Sequence, residues 1–179
     1  MFLIAIPEKS VVKKIFELRK KVVELGYASN DPRKNVLPHI TLTYIENNNL
    51  PKDQISTIKS RLSEMVFDKS IILTVKKFLD WDHKIVALFE TQPTKELRLT
   101  SQTLFQKMGV KVNKNYQKLY GDTVGDHMKI LRQISLKSIQ GTIELAKSVL
   151  PDKIIIDRIA FIGHGCEEKD ILWQKRLTI

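Results

Sequence analysis

Two short segments of the chain carry a histidine followed two residues later by a side chain that can hold an anion. In the segment PHITL, His39 precedes Thr41, and in the segment DHMKI, His127 precedes Lys129. In a β-strand residues i and i+2 point to the same face, so each pair shares one face of its strand. If the two strands lie side by side, as we expect, the pairs form one symmetric site with two imidazoles and two anion-holding groups.

The remaining histidines and the cysteine favour no metal chemistry. His83 lies in a predicted turn next to Asp82, and His164 lies between two glycines after a predicted strand. The single cysteine, Cys166, excludes an internal disulfide and a multi-cysteine zinc site. There is no His-Glu-x-x-His sequence. We therefore predict no metal site.

Each histidine motif is embedded in the same order of predicted elements. Alternating and continuous apolar runs predict strands, and apolar residues at three- and four-residue steps predict amphipathic helices. The first half is predicted to contain strand 1–6, helix 10–26, loop 27–37, strand 39–45, helix 51–65 and strand 71–75. The second half is predicted to contain strands 78–79 and 85–89 around a turn at 81–84, a helix after residue 93, strand 127–134, helix 138–150, strand 153–162 and a terminal strand 171–179.

This order predicts an α+β fold in which a β-α-β-α-β unit occurs twice and one strand is added at the end. We expect two pseudo-symmetric lobes, each a small, mostly antiparallel sheet flanked by helices, with a cleft between them. Ligands commonly bind in such clefts. No Gly/Ser-rich linker divides the chain, so we predict a single domain over residues 1–179.

Composition is that of a globular protein with a strongly basic surface. The 179 residues are 42% hydrophobic and 28% charged, with a net charge of +10. The apolar segment 1–6 has no basic residues before it and stops at Pro7, which argues against a secretory signal and for a cytoplasmic protein without a membrane partner. The charge favours polyanionic partners. Segment 107–118 has four lysines and no acid, with Tyr116 inside it and Tyr120 after it, and is either a nucleic-acid contact or a solvated loop.

The PHITL motif on a second strand, a second histidine motif late in the chain, the basic charge and the duplicated order resemble the two-histidine (2H) phosphoesterase superfamily. That superfamily includes RNA 2′,3′-cyclic phosphodiesterases, once called 2′-5′ RNA ligases. The resemblance implies a monomeric hydrolase without metal or cofactor that opens a 2′,3′-cyclic phosphate on RNA, an oligonucleotide or a cyclic nucleotide. It implies His39 and His127 as general acid and base, in an order that stays open, and Thr41 as a phosphate ligand.

The second motif departs from the superfamily pattern, which repeats His-x-Thr/Ser, because Lys129 stands at the hydroxyl position. Lys129 would contribute an ammonium to the phosphate and alter substrate preference. Alternatively, the second motif is degenerate and the chain is a noncatalytic RNA-binding module. We expect an active enzyme. Strand joining, 3′-end trimming and cleavage of 2′-5′ linkages remain open beside cyclic-phosphate hydrolysis.

Overall fold

A computed structural model describes residues 1–31, 33–46, 49–65, 71–90, 94–113 and 126–177. Within these ranges, seven strands and four α-helices follow in the order predicted from the sequence. The strands and helices are β1 (Phe2–Pro7), α1 (Lys9–Glu24), β2 (Ile40–Tyr44), α2 (Lys52–Glu64), β3 (Ile71–Asp80), β4 (Ile85–Phe89), α3 (Lys95–Lys107), β5 (His127–Leu131), α4 (Ile139–Val149), β6 (Lys153–Ile162) and β7 (Ile171–Arg176). Part of the predicted basic segment (Lys114, Tyr116 and Lys118) and the following Tyr120 lie outside the described residues.

The helices form where apolar residues recur at helical spacing. In α1, Val11, Ile15, Leu18 and Val22 are buried, and each lies three or four residues after the one before it. Gly26, two residues after the end of α1, has a φ of +71°, the left-handed conformation that commonly terminates a helix. None of the helices in the described ranges is long and apolar enough to cross a membrane.

The strands form one curled, antiparallel sheet with a symmetric order. The order is β2-β1-β6-β3-β4-β5, and β7 pairs with β6 beside this path. The order is unchanged, apart from its direction, when β1, β2 and β3 are exchanged with β4, β5 and β6. This symmetry arises because the third strand of each half pairs with the first strand of the other half: β3 pairs with β4, and β6 pairs with β1. The predicted α+β class with two pseudo-symmetric halves is confirmed. The interpretation of residues 1–179 as a single domain built by duplication of a β-α-β-α-β unit remains a prediction.

The expectation that the two histidine strands lie side by side is wrong. β2 and β5 are at opposite ends of the strand order and share no ladder, since the exchanged strands β3 and β6 occupy the centre. The curl of the sheet, rather than strand pairing, turns the two ends toward the same cavity. Strand exchange depends on contacts distant in sequence, so periodicity within each half could not reveal it.

Candidate active site

All four side chains predicted to form a site line one cavity of about 440 Å³: His39, Thr41, His127 and Lys129. The strand alternation explains their orientation. Ile40 and Leu42 are buried in the core, which turns the side chains on either side of Ile40 outward. In β5, Met128 and Ile130 are buried in the same way, and the intervening side chains are half-buried.

Helices α1 and α3 hold the distant edge strands in place, each by bonding to the strand of the other half. From α1, the Arg19 Nε donates to the Ile130 carbonyl of β5 at 3.0 Å. From α3, the Ser101 hydroxyl shares a buried hydrogen bond of 2.7 Å with the Thr43 hydroxyl of β2.

Isolated bridges repeat the same crossed arrangement just beyond each helix. Ala28, after α1, pairs with Ile134 after β5, and Val112, after α3, pairs with Ile45 after β2. These contacts between the halves close the curled sheet around the cavity.

His39 has a defined tautomer. It lies immediately before β2, and its Nδ1 is 2.7 Å from the carbonyl of Leu37. A carbonyl only accepts, so Nδ1 carries the proton and the lone pair of the neutral ring is on Nε2. Leu37 is itself held, because its amide donates to the Cys166 carbonyl at 2.8 Å. The loop after β6 thus positions the first histidine.

The surroundings of His39 keep its imidazole neutral. The pKa of His39 is lowered from 6.5 to about 4, chiefly by burial and also by the positive charges of Lys129, Arg132 and Arg19, against the opposing effect of the Leu37 carbonyl. At neutral pH the ring is therefore uncharged and able to accept a proton.

His127 begins β5, opposite Leu88 of β4, with its ring centroid 5.5 Å from that of Trp81. The residue before it, Asp126, is 1% exposed and accepts hydrogen bonds from the Thr94 amide at 3.1 Å and the Thr94 hydroxyl at 2.6 Å. Asp126 also forms a buried ion pair with Arg98 of α3. This cluster fixes the start of β5 and hence the position of His127.

Arginines join the predicted lysine around the cavity. Arg19, Arg33 and Arg132 line it with Lys129. Burial lowers the pKa of Lys129 to about 8, and the charges of Arg132, Lys84 and Arg33 contribute.

Sequence reasoning did not single out Arg19 or Arg132. A signal existed for Arg19, because Ile15, Leu18, Arg19 and Val22 form an i, i+3, i+4, i+7 stripe, which places an arginine on the inward side of an amphipathic helix. No pattern marks Arg132.

The other histidines differ in their relation to this cavity. His83 lies in the β3–β4 turn with φ 58°, and its Nδ1 is 3.2 Å from the Ile134 carbonyl. His164 lies in the loop after β6, as predicted, but also lines the cavity, and its Nε2 is 2.9 Å from the amino group of Met1. Within the described ranges, no group of three His, Cys, Asp or Glu side chains is arranged to hold a metal ion.

Comparison with known proteins identifies the fold. No protein-family model and no curated protein sequence matches the chain. A crystal structure of a phosphoesterase is similar, with a TM-score of 0.56, 11% identity, and 99% of this chain and 97% of that chain covered. E. coli LigT complexed with 3′-AMP has a TM-score of 0.59 at 12% identity and its apo form 0.53 at 13%, each covering 99% of this chain and 96% of that chain. The chain has the fold of these proteins, as the superfamily resemblance implied.

Proposed function

We propose that this chain is a metal-independent phosphodiesterase of the 2H type that hydrolyses 2′,3′-cyclic phosphate, or a 2′-5′ linkage, at the ends of RNA or oligonucleotides. The observation that carries the proposal is the convergence of His39 and His127, from opposite ends of the sheet, on one cationic cavity. The fold shared with a phosphoesterase and with LigT supports it. The LigT structure complexed with 3′-AMP adds support for a nucleotide ligand.

In the proposed reaction, His39 is the general base and His127 the general acid. The neutral Nε2 of His39 takes a proton from water as the water oxygen bonds to phosphorus. The bond from phosphorus to the ribose 3′ oxygen breaks, and His127, protonated at the start, gives its proton to that oxygen. The product is a 2′-phosphate. The lowered pKa of His39 supports this assignment, which the sequence left open.

Thr41 and Lys129 bind the nonbridging oxygens of the phosphate in this proposal. Negative charge on these oxygens grows in the transition state, where a positioned hydroxyl and an ammonium stabilise it. Lys129 retains its proton below a pKa of about 8, so its charge is available at neutral pH.

The second candidate is a noncatalytic RNA-binding module with a degenerate second motif. Lys129 and the arginines around the cavity favour it, because cations bind phosphate whether or not the bond is cleaved. It predicts binding of oligonucleotides without turnover.

Hydrolysis in EDTA separates the two functions. Wild-type protein is incubated with a nucleoside 2′,3′-cyclic phosphate, and formation of the 2′-phosphate is followed by phosphorus NMR. We expect turnover by the wild type and a loss of about a hundredfold or more in His39→Ala and His127→Ala.

The matched control is His83→Asn, which removes a histidine outside the cavity at a positive φ that asparagine tolerates. Turnover retained by His127→Ala would contradict the assigned acid. A wild type that binds the oligonucleotide but releases no product would establish the binding module. A parallel panel of 2′-5′ dinucleotides and RNA with cyclic ends distinguishes the activities that remain open within the enzyme class.

A further inference from the structure

A second cavity, of about 300 Å³, adjoins the proposed active site. It lies between the C-terminal half of α1, the segment after that helix and the end of β5, and it shares Arg19 and Arg132 with the first cavity. Its apolar wall is formed by Phe16, Val22, Val23 and Leu131. The proposed hydrolysis does not use this cavity.

Polar groups accompany the apolar wall. Asn30 and Asn35 contribute two amides that can donate and accept hydrogen bonds, and the Ser29 hydroxyl, which donates to the Gln133 side chain, can still accept one. Charged side chains also line this cavity: Lys20, Glu24, Asp31 and Lys34. An apolar wall with polar groups beside it suits a flat heterocycle, which has apolar faces and a hydrogen-bonding edge.

The first cavity has more positive charge than one cyclic phosphate requires. Among the described residues that line it, four are cationic and one, Glu167, is acidic. A cyclic phosphodiester carries a single negative charge. The like charges repel one another, as the effect of Arg132 and Arg33 on the pKa of Lys129 indicates. A substrate with a second phosphate offsets this repulsion better than one phosphate does.

Arg132 is the cation at the junction that suits this second phosphate. The other arginine that lines both cavities, Arg19, donates to the carbonyls of Lys34, Val36 and Ile130. Arg132 is half-buried at the end of β5 and lines both cavities. A guanidinium binds a phosphodiester with paired hydrogen bonds.

We propose that the second cavity binds the nucleobase of the neighbouring nucleotide, while Arg132 holds the phosphodiester that joins this nucleotide to the reacting one. The proposal rests on the proposed function for the identity of the first cavity. It makes the preferred substrate at least a dinucleotide, with its terminal phosphate between the histidines and its penultimate base against α1.

A series of product-like ligands tests the proposal by binding, without turnover. Affinities are measured calorimetrically for adenosine 2′-phosphate, adenosine 2′,5′-bisphosphate and the dinucleotide ApA with a terminal 2′-phosphate. We expect the 5′-phosphate to tighten binding by about tenfold or more, as a charge-assisted hydrogen bond does. The second nucleoside should add roughly a further fivefold, typical of one stacked base.

Two variants test separately the gain in affinity from the 5′-phosphate and the gain from the second nucleoside. Arg132→Gln should abolish the gain from the 5′-phosphate, and Arg61→Gln, which removes an exposed arginine of α2 outside both cavities, should preserve it. Ala28→Leu fills the second cavity with an aliphatic side chain and should abolish only the gain from the second nucleoside. If Ala28→Leu lowers the melting temperature, Val23→Glu, at an exposed helical position, replaces it.

Equal affinity of the wild type for the three ligands would overturn the proposal, as would an equal loss for all three in Arg132→Gln. Failure of the proposed function has a different signature, which is absence of cyclic-phosphate hydrolysis while the gains in affinity persist. If the protein hydrolyses the cyclic mononucleotide but gains no affinity from the 5′-phosphate or the second nucleoside, the second subsite is refuted and the proposed function stands.

Discussion

The neutral state of His39 predicts a loss of stability in acid that depends on this one side chain. The folded protein holds the pKa of His39 at about 4, whereas the unfolded chain has the ordinary value of 6.5. Between these values the unfolded state binds a proton and the folded state does not, so stability falls as the pH falls. The contribution is complete above the unfolded pKa and is lost as the pH drops toward the folded one.

The size of the effect follows from the shift. Integrating the proton linkage from neutral pH down to about pH 4.5 gives a loss of stability of about 2 kcal/mol if the whole pKa shift is expressed on unfolding. The ring is half-buried in an open cavity, where water screens an imidazolium, so we expect roughly 1–2 kcal/mol. Such a loss is a large fraction of the stability of an ordinary domain.

The assay is urea unfolding of the wild type and His39→Asn at neutral pH and at about pH 4.5. Asparagine keeps an N–H that can donate to the Leu37 carbonyl but has no proton to bind, so the variant should lose less stability in acid than the wild type. His83→Asn, in the exposed turn, controls for the loss of a histidine. Equal acid sensitivity of the wild type and His39→Asn would refute the lowered pKa.

Three further outcomes are expected. Asp126→Ala leaves the buried Arg98 charge without its carboxylate and should lower the free energy of unfolding by about 3 kcal/mol or more in urea, against less than about 1 kcal/mol for an exposed ion pair on α2. Gly165→Ala brings a Cβ against the Asp170 carboxylate and should cost about 1–2 kcal/mol in thermal unfolding with reduced turnover, whereas an unchanged melting temperature would show that the loop adapts. Lys129→Thr should raise the KM for a cyclic phosphate about tenfold at neutral pH, because the ammonium is lost. In the wild type kcat/KM should decline as the pH rises through about 8, where Lys129 loses its proton, and a comparison of pH profiles should show no such decline in the variant.

Local pattern was sufficient to predict the elements and the orientation of the site residues. The alternation around Ile40 and Met128 correctly indicated which side chains leave the core, because strand periodicity is set by the residues of the strand itself. The order of strands and helices followed from the same periodicities. Element boundaries were less well predicted: β3 runs from Ile71 to Asp80 without the break expected between two shorter strands.

Contacts between the halves were not predictable in this way. The exchange of β3 and β6 pairs residues that are 79 to 85 positions apart, and no periodicity within a half specifies which partner a third strand takes. In the sequence, Arg98 and Asp126 likewise have no feature that distinguishes them from other charged residues, because only the fold buries them together. The inward position of Arg19 could have been predicted from the sequence, since a cation on an apolar stripe needs a buried hydrogen-bonding partner.

The symmetric backbone does not by itself explain why two equivalent histidines would have the opposite roles that we propose for them. Exchange of the halves relates His39 to His127 and Thr41 to Lys129, so the paired positions are equal in backbone and unequal in charge. The cations that lower the pKa of His39 include Lys129 and Arg132, both from the second half, and the first motif has only a hydroxyl to set against His127. We infer that the ammonium in the second motif adds to the effect of burial, which is the largest cause of the lowered pKa of His39, and so favours the first histidine as the base. Lys129→Thr should therefore raise the pKa of His39 as well as weaken phosphate binding, since one charge serves both purposes.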